Sequence, residues 1–100
     1  MIVYEVNLEI EAGSYVGYCA WLDAHVREIL ALPGFVSAEI LECREPPPAT
    51  GRHNLSVQYR LTDAAALDRY LREDAPRLRA DGMTRFGGKF SASRRILSPL

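Results

Sequence analysis

Three ring-bearing side chains that could bind a small organic molecule follow one another at helical spacing. Tyr18, Trp21 and His25 are separated by three and four residues, so a helix would present all three along one edge. Such rings can stack against an organic ligand and form hydrogen bonds with it. The alternative is that Tyr18 and Trp21 are aromatics at the edge of the core and that His25 is a partly exposed helix residue. Both interpretations stay open.

Metal binding and thiol chemistry find little support in the other reactive residues. His25 and His53 are the two histidines, and neither has a Cys, Asp or Glu at the spacing of known metal sites. Cys19 and Cys43 form neither a disulfide framework nor a Cys-x-x-Cys pair, and no neighbouring base indicates an activated thiol. We therefore predict no metal and no cofactor. This cysteine usage favours a reducing cytoplasm.

Length, composition and charge define the class of protein. One hundred residues, 48% hydrophobic and 25% charged, predict one globular domain over residues 1–100. The formal charge of −1 supplies no bulk attraction to nucleic acid or to an anionic membrane. No apolar run approaches the ~18 residues of a transmembrane helix. The opening Met1–Glu5 is typical of a strand rather than of a signal peptide. Because the net charge is near zero and no long apolar run is present, we expect neither nucleic acid nor a membrane as a partner.

The charges are divided unevenly along the chain. Residues 1–50 carry eight acids and two bases, whereas residues 51–100 carry five acids and ten bases. This division favours packing of the two halves against each other or against a second copy. In the second half, Asp68 and Glu73 each precede an arginine by four residues. That order is typical of a solvated helix face with internal ion pairs.

Hydrophobic periodicity predicts four strands and two helices. Residues 2–11 alternate strictly, which is typical of a strand with one buried face. The Pro46–Pro48 run cannot pair in a sheet and predicts an extended surface loop. The other elements are a helix over 15–32, strands over 35–43, 53–61 and 89–97, and a second helix that begins after Thr62 or Asp63.

The second helix is predicted to be irregular. Pro76 would clash with the carbonyl of Arg72, so the helix should kink or restart there, with Asp74 as a new cap. Gly82 is expected to end the helix, and residues 83–86 are expected to form an irregular turn.

This order of elements, β-α-β-β-α-β with right-handed crossovers, predicts an α+β, ferredoxin-like fold. The sheet would be antiparallel in the order 4-1-3-2, and both helices would cover the same face. The other face, the open face, is expected to carry mainly polar residues together with the apolar residues Val3, Phe35 and Leu41. Its members include Glu5, Glu9, Gln58, Arg60, Arg95, Phe35 and Leu41.

Two arrangements of the open face are compatible with its composition. It could be solvated, or it could stack on the open face of a second copy and close a dimeric barrel with a polar lumen. Burying Glu5 or Glu9 unpaired would cost on the order of several kcal/mol. Stacking therefore requires Arg60 or Arg95 as a partner for these carboxylates.

Three segments resemble a known family most closely: Met1–Leu8, Ala31–Phe35 and Arg85–Phe90. The resemblance extends over nearly the whole chain. The sequence resembles a bacterial family of small dimeric α+β-barrel, ferredoxin-like proteins without an assigned activity. The wider superfamily includes cofactor-independent antibiotic-biosynthesis monooxygenases, muconolactone isomerases, stress-response barrel proteins and haem enzymes. The resemblance implies a homodimer, but it does not choose among these chemistries.

Resemblance to the monooxygenases implies an aromatic ligand between sheet and helices. Those enzymes hold a substrate enolate with Asn, Trp, Tyr or Arg side chains. The residues of suitable type here are Asn7, Tyr18, Trp21, His25 and Arg60. Haem binding would require a proximal histidine that nothing in this sequence specifies.

The predicted function is that of a homodimer that binds a small organic molecule. One alternative is a cofactor-independent monooxygenase or isomerase. Another is a structural or interaction protein that uses the Pro46–Pro48 loop or an open strand edge. RNA-binding domains of the RRM type share the order of elements. They display a first-strand aromatic on the open face, however, whereas Tyr4 alternates in phase with Ile2 and Val6.

Overall fold

A computed structural model describes residues 1–100 as one antiparallel sheet of four strands with helices on one face. The elements are β1 (Ile2–Glu11), α1 (Tyr15–Leu30), β2 (Phe35–Glu42), β3 (Arg52–Leu61), α2 (Ala64–Glu73), α3 (Ala75–Phe86) and β4 (Phe90–Leu97). A short 3-10 turn, Ala12–Ser14, joins β1 to α1. The strand order β2-β3-β1-β4 is the predicted order read from the other edge. The predicted ferredoxin-like α+β fold is confirmed.

The alternating apolar side chains of β1 form part of the hydrophobic core. Tyr4, Leu8 and Ile10 are buried on the helix-covered face, because a strand places every second side chain on the same side. In the β1–β3 register, Tyr4 lies opposite Tyr59 and Leu8 lies opposite Leu55. Burial of these rows against the helices is the main stabilising contribution of the sheet. The other buried apolar residues are Tyr18, Leu22, Val26, Ile29, Val57, Leu61, Leu67, Tyr70, Ala75 and Leu78.

The predicted restart of the second helix is confirmed. α2 ends at Glu73 and α3 begins at Ala75. Pro76 lies in the first turn of α3, where its missing N–H would have no partner inside the helix. The backbone N–H of Leu78 then donates to the carbonyl of Asp74 at 3.2 Å. A proline therefore divides one predicted helix into two.

The predicted end of the helix at Gly82 is wrong. α3 continues through residues 83–86 and ends at Phe86. Two residues further on, Gly88 adopts a positive φ of 80°. Gly82 is buried inside α3, and a Cβ at this position would lie 3.0 Å from Cη2 of Trp21. The glycine therefore accommodates a close approach of the Trp21 ring rather than terminating the helix.

The predicted face of Phe35 is also wrong. A β-bulge between Phe35 and Ser37 inserts one residue and shifts the alternation at the start of β2. Phe35 consequently lies on the helix-covered face, where its ring packs edge-to-face against Tyr59 at 5.7 Å and against Tyr70 at 5.1 Å. From Ser37 onward the predicted faces of β2 agree with the register.

The open face buries one carboxylate. Glu5 is only 5% exposed, although it lies on the side of the sheet that carries no helix. Arg95 on β4 approaches it at 2.8 Å through Nη2 and donates a second bond from Nε at 3.0 Å. The hydroxyl of Ser56 donates to the same carboxylate at 3.4 Å. Burial of this carboxylate requires a positively charged partner, and Arg95, one of the two predicted arginines, supplies it.

Other charges of the open face pair across neighbouring strands. The carboxylate of Glu9 lies 3.9 Å from Arg52 on β3. Arg60 pairs with Glu39 of β2 at 3.4 Å, while Gln58 lies opposite Glu5 in the register. The residues predicted for this face, Phe35 apart, therefore lie on it.

None of the helices is long and apolar enough to cross a membrane. Cys19 and Cys43 are both unpaired and half-buried.

Candidate functional site

A cavity of about 300 Å³ lies between the helix-covered face of the sheet and the helices. Fourteen of its nineteen lining residues are hydrophobic. This size and this composition are typical of sites that bind small organic molecules. The lining residues are Tyr4, Val6, Leu8, Tyr18, Trp21, Leu22, His25, Ile29, Val57, Tyr59, Tyr70, Leu78, Arg79, Gly82, Met83, Phe90, Ser91, Ala92 and Arg94.

One edge of α1 supplies the aromatic wall of this cavity. Tyr18, Trp21 and His25 all line it, as their helical spacing requires. The Trp21 and His25 rings stack at 4.4 Å, and Tyr18 lies 5.4 Å from Trp21. The indole Nε1 of Trp21 donates to Oδ2 of Asp81 at 2.8 Å. α3 therefore fixes the orientation of the indole ring.

Burial keeps His25 uncharged. Desolvation lowers the pKa of His25 below 6.5, and it outweighs the opposing charges of Glu28 and Asp81. The imidazole is therefore neutral at physiological pH, with one nitrogen able to accept a proton.

Four tyrosine hydroxyls are among the polar groups of the cavity. Burial raises the pKa of Tyr18 to about 12 and that of Tyr70 to about 12, and it raises the pKa of Tyr59 as well. All three phenols are therefore neutral and can donate hydrogen bonds. Tyr4 differs from them, because its oxygen accepts a bond of 2.9 Å from Nη2 of Arg79.

Two arginines in the cavity wall were missed by the sequence analysis. Arg94 lies opposite Val6 in the β1–β4 register, so it shares the helix-covered face with Ala92. Arg79 reaches the cavity from α3. A signal was present for Arg94, because a charged residue between Ala92 and Ile96 interrupts the apolar phase of the strand.

Asn7 and Arg60, also predicted to belong to the site, do not line the cavity. Asn7 alternates out of phase with Val6 and Leu8, so it lies on the open face of β1. Arg60 lies on the open face of β3 and pairs with Glu39. Grouping these residues by type ignored the strand phase, and the sheet separates them from the three α1 residues.

Asn7 instead borders a depression of about 360 Å³ on the open face. Glu9, Asn54, Ser91 and Ser93 contribute polar groups to its lining, which also includes Leu8, Leu55 and Ala92. Oδ1 of Asn54 is buried and accepts no hydrogen bond within the chain. The sheet thus has an apolar cavity on one side and a polar depression on the other.

The two histidines lie at separate places in the fold. His25 faces the cavity, whereas His53 stacks on Tyr15 with the ring centres 3.8 Å apart. No three His, Cys, Asp or Glu side chains are grouped in a way that could hold a metal ion.

Several solved structures share this fold. A proposed antibiotic biosynthesis monooxygenase from Deinococcus radiodurans superposes with a TM-score of 0.76 at 11% identity, covering 99% of this chain and 92% of that one. The cofactor-independent oxygenase SnoaB of Streptomyces nogalater gives 0.60 at 17% identity over 99% and 93% of the two chains. The haem degrader MhuD of Mycobacterium tuberculosis gives 0.69 at 18% identity over 100% and 96%. At identities this low, the superpositions show a common fold alone.

No curated protein matches the chain by sequence. A family profile does match, over residues 1–100, and its description is "Domain of unknown function (DUF4286)". The chain belongs to the DUF4286 family.

Proposed function

We propose that the protein binds a small organic molecule with an aromatic or otherwise apolar body in the cavity between the sheet and the helices. The observation that carries this proposal is the cavity itself, with a volume of about 300 Å³ and a mainly hydrophobic wall. Sites with these properties bury most of a small ligand and orient it with a few polar groups. The fold is shared with SnoaB and with MhuD, which contains two bound haems.

The hydroxyl groups in the wall favour a ligand over a dry void. Tyr18, Tyr59 and Tyr70 are 2 to 5% exposed as residues, yet the single buried side-chain atom without a hydrogen-bond partner is Asn54 Oδ1. The three hydroxyls are therefore reachable from the cavity rather than sealed in the core. Cavities that stay empty are lined by apolar groups alone, whereas free hydroxyls take water or a polar group of a ligand as their partner.

Filling the cavity tests this function. Ala92 lines it at the β4 wall, so Ala92→Leu should occupy part of the ligand volume. We expect calorimetric titration with 2-naphthol, 2-naphthamide and 2-naphthoate to show binding to the unaltered protein and at least tenfold weaker binding to the variant. Ala65→Leu on the exposed surface of α2 is the matched control. Equal affinities for both variants, or no binding of any probe, would contradict the proposal.

We further propose that two copies stack their open faces in a homodimer. Glu5 is buried while the side chain of its partner Arg95 is 65% exposed, which supports this, because a second copy could cover the guanidinium and keep water from the ion pair. Leu41 is 42% exposed and would be covered in the same interface. The unpaired cysteines support a location in the reducing cytoplasm.

Cofactor-independent oxygenation or isomerisation is the second candidate. The specific observation that favours it is the neutral His25 in the wall, which could take a proton from an acidic carbon or hydroxyl of the ligand. Tyr18 and Trp21 remain beside it, but Asn7 and Arg60 are on the other side of the sheet. Oxygen uptake or isomer formation with a panel of phenolic substrates tests this candidate. A rate that His25→Gln leaves unchanged would contradict it.

A further inference from the structure

The wall of the cavity carries positive charge without any compensating acid. Arg79 and Arg94 are among its nineteen lining residues, and none of the others is Asp or Glu. His25 adds no charge, because burial lowers its pKa. Both arginines are exposed as residues, so water screens part of their charge, and the mainly hydrophobic wall of the cavity beside them limits that screening on the cavity side.

Arg94 has no carboxylate partner. None of the ion pairs of the chain includes it, whereas its neighbour Arg95 is held by Glu5 on the opposite face of the same strand. The charge of Arg94 lowers the pKa of the cavity phenols Tyr18, Tyr59 and Tyr70 against the larger effect of burial. Its field therefore reaches the interior of the cavity.

Arg79 is equally free of carboxylates. It donates to the hydroxyl of Tyr4 at 2.9 Å, and a guanidinium has further N–H donors in the same plane. The acids nearest this end of the cavity are engaged elsewhere. Asp74 accepts from Arg77, and Asp81 accepts from Trp21 and Arg85. Neither of these acids lines the cavity.

We propose that the ligand of this cavity is an organic carboxylate, with an aromatic body among the rings and its carboxylate bound by Arg94 and Arg79. This rests on the proposed function and specifies the chemical class of its ligand. Guanidinium groups match carboxylates in both charge and geometry, and such charge-assisted bonds are about twice as strong as neutral ones. The free phenol hydroxyls of Tyr18, Tyr59 and Tyr70 supply additional donors and no negative charge.

Probes with the same ring system and different charges test the proposal. 2-Naphthoate, 2-naphthamide and 2-naphthylmethylamine present an anion, a neutral group and a cation on the same ring system. We expect the carboxylate to bind at least about tenfold more tightly than the amide, and the amine to bind most weakly. Equal binding of carboxylate and amide would overturn the carboxylate inference but leave the proposed function intact. Binding of none of them would overturn both.

The variant Arg94→Gln tests whether Arg94 binds the carboxylate of the ligand. We expect it to weaken 2-naphthoate at least about tenfold and to change the affinity for 2-naphthamide less than about twofold. Arg72→Gln on α2 is the matched control, because Arg72 is exposed, lies outside the cavity wall and forms no ion pair. Both variants lower the net charge by the same amount. Equal losses in the two variants, or equal losses for carboxylate and amide in Arg94→Gln, would overturn the assignment.

Ionic strength provides a readout that needs no variant. Salt weakens the attraction between an exposed guanidinium and an anion, and it leaves the burial of a neutral ring largely unaffected. The affinity for 2-naphthoate should therefore fall between low and high salt while that for 2-naphthamide stays constant. A salt dependence that is the same for both probes would overturn the proposal even if Arg94→Gln failed to fold.

Discussion

The indole Nε1 of Trp21 donates a hydrogen bond of 2.8 Å to Oδ2 of Asp81, and this bond joins α1 to α3 beside the cavity. Asp81 also accepts from Nε of Arg85 at 3.1 Å through its other oxygen. The carboxylate is thus held from both sides. Gly82, the next residue, lets the indole ring lie directly against α3. The position of the aromatic wall is therefore set by contacts outside the cavity.

Acidification should weaken the Trp21–Asp81 contact with a midpoint below the ordinary carboxyl pKa of 3.8. The hydrogen bond from Trp21, followed by that from Arg85, holds the pKa of Asp81 below 3.8. A lowered carboxyl pKa stabilises the folded state above the unfolded value, and this contribution is lost as pH falls through the folded pKa. We expect the indole ¹H–¹⁵N signal of Trp21, the one tryptophan, to move on acidification with a midpoint below pH 3.8. Asp81→Asn should abolish the transition. A wild-type midpoint at or above 3.8 would contradict this account.

Alanine at two helical glycines should have opposite effects. A Cβ at Gly17 of α1 would meet one atom, 3.9 Å away in Phe86, so Gly17→Ala should raise the free energy of unfolding by up to about 1 kcal/mol through helix propensity. A Cβ at Gly82 would lie 3.0 Å from the Trp21 ring, which His25 and Asp81 hold in place. Gly82→Ala should therefore lower the free energy of unfolding by about 1 kcal/mol, because crowding outweighs propensity. Chemical denaturation measures both, and equal stabilisation would show that the indole moves freely.

His25 should make the protein less stable in mild acid. Its folded pKa is lowered by burial, so the unfolded chain binds the proton more readily than the folded chain does. The free energy of unfolding should consequently decrease as pH falls through 6.5 toward the lowered folded value. His25→Gln removes the titrating group, and its denaturation curves should lose that part of the pH dependence. If wild type and His25→Gln show the same change between about pH 7.5 and about pH 5.5, burial of the imidazole does not control its protonation.

Reversing one charge on the open face should weaken the proposed dimer. Arg60 pairs with Glu39 across β2 and β3, and Arg60→Glu would place two carboxylates at that position. We expect light scattering to show a shift toward the monomer, with a dimer dissociation constant at least about tenfold higher. The double variant Glu39→Arg with Arg60→Glu restores the pair and should recover the dimer. A molar mass that is unchanged by Arg60→Glu would count against stacking of the open faces.

Strand phase accounts for most of what could be predicted from the sequence. The alternation of residues 2–11 predicted the helix-covered and open faces of β1, and Pro76 predicted the restart between α2 and α3. Phe35 could not be placed, because a bulge shifts the phase without leaving a mark in the hydrophobic pattern. Gly82 was misinterpreted for a similar reason. Its role depends on the approach of Trp21, which is distant in sequence and close only in the fold.

The lining of the cavity was predictable in part. Helical spacing placed Tyr18, Trp21 and His25 on one edge of α1, and all three line the cavity. Asn7 and Arg60 were chosen for their chemistry, although their strand phase is opposite to that of the apolar rows. Arg94 has the phase of the apolar row and was overlooked. A charged residue at a position where the strand alternation predicts an apolar side chain is therefore a better indicator of the cavity wall than residue type alone.

Mapping of a bound probe by NMR tests the central claim most directly. During titration with 2-naphthoate, we expect saturable shift changes at the indole of Trp21 and at the backbone amides of Gly82 and Arg94, which line the cavity and not the depression. Asn7 and Asn54 on the open face should shift far less. Changes centred on Asn7 and Asn54, or no saturable change at Trp21, would contradict ligand binding between the sheet and the helices.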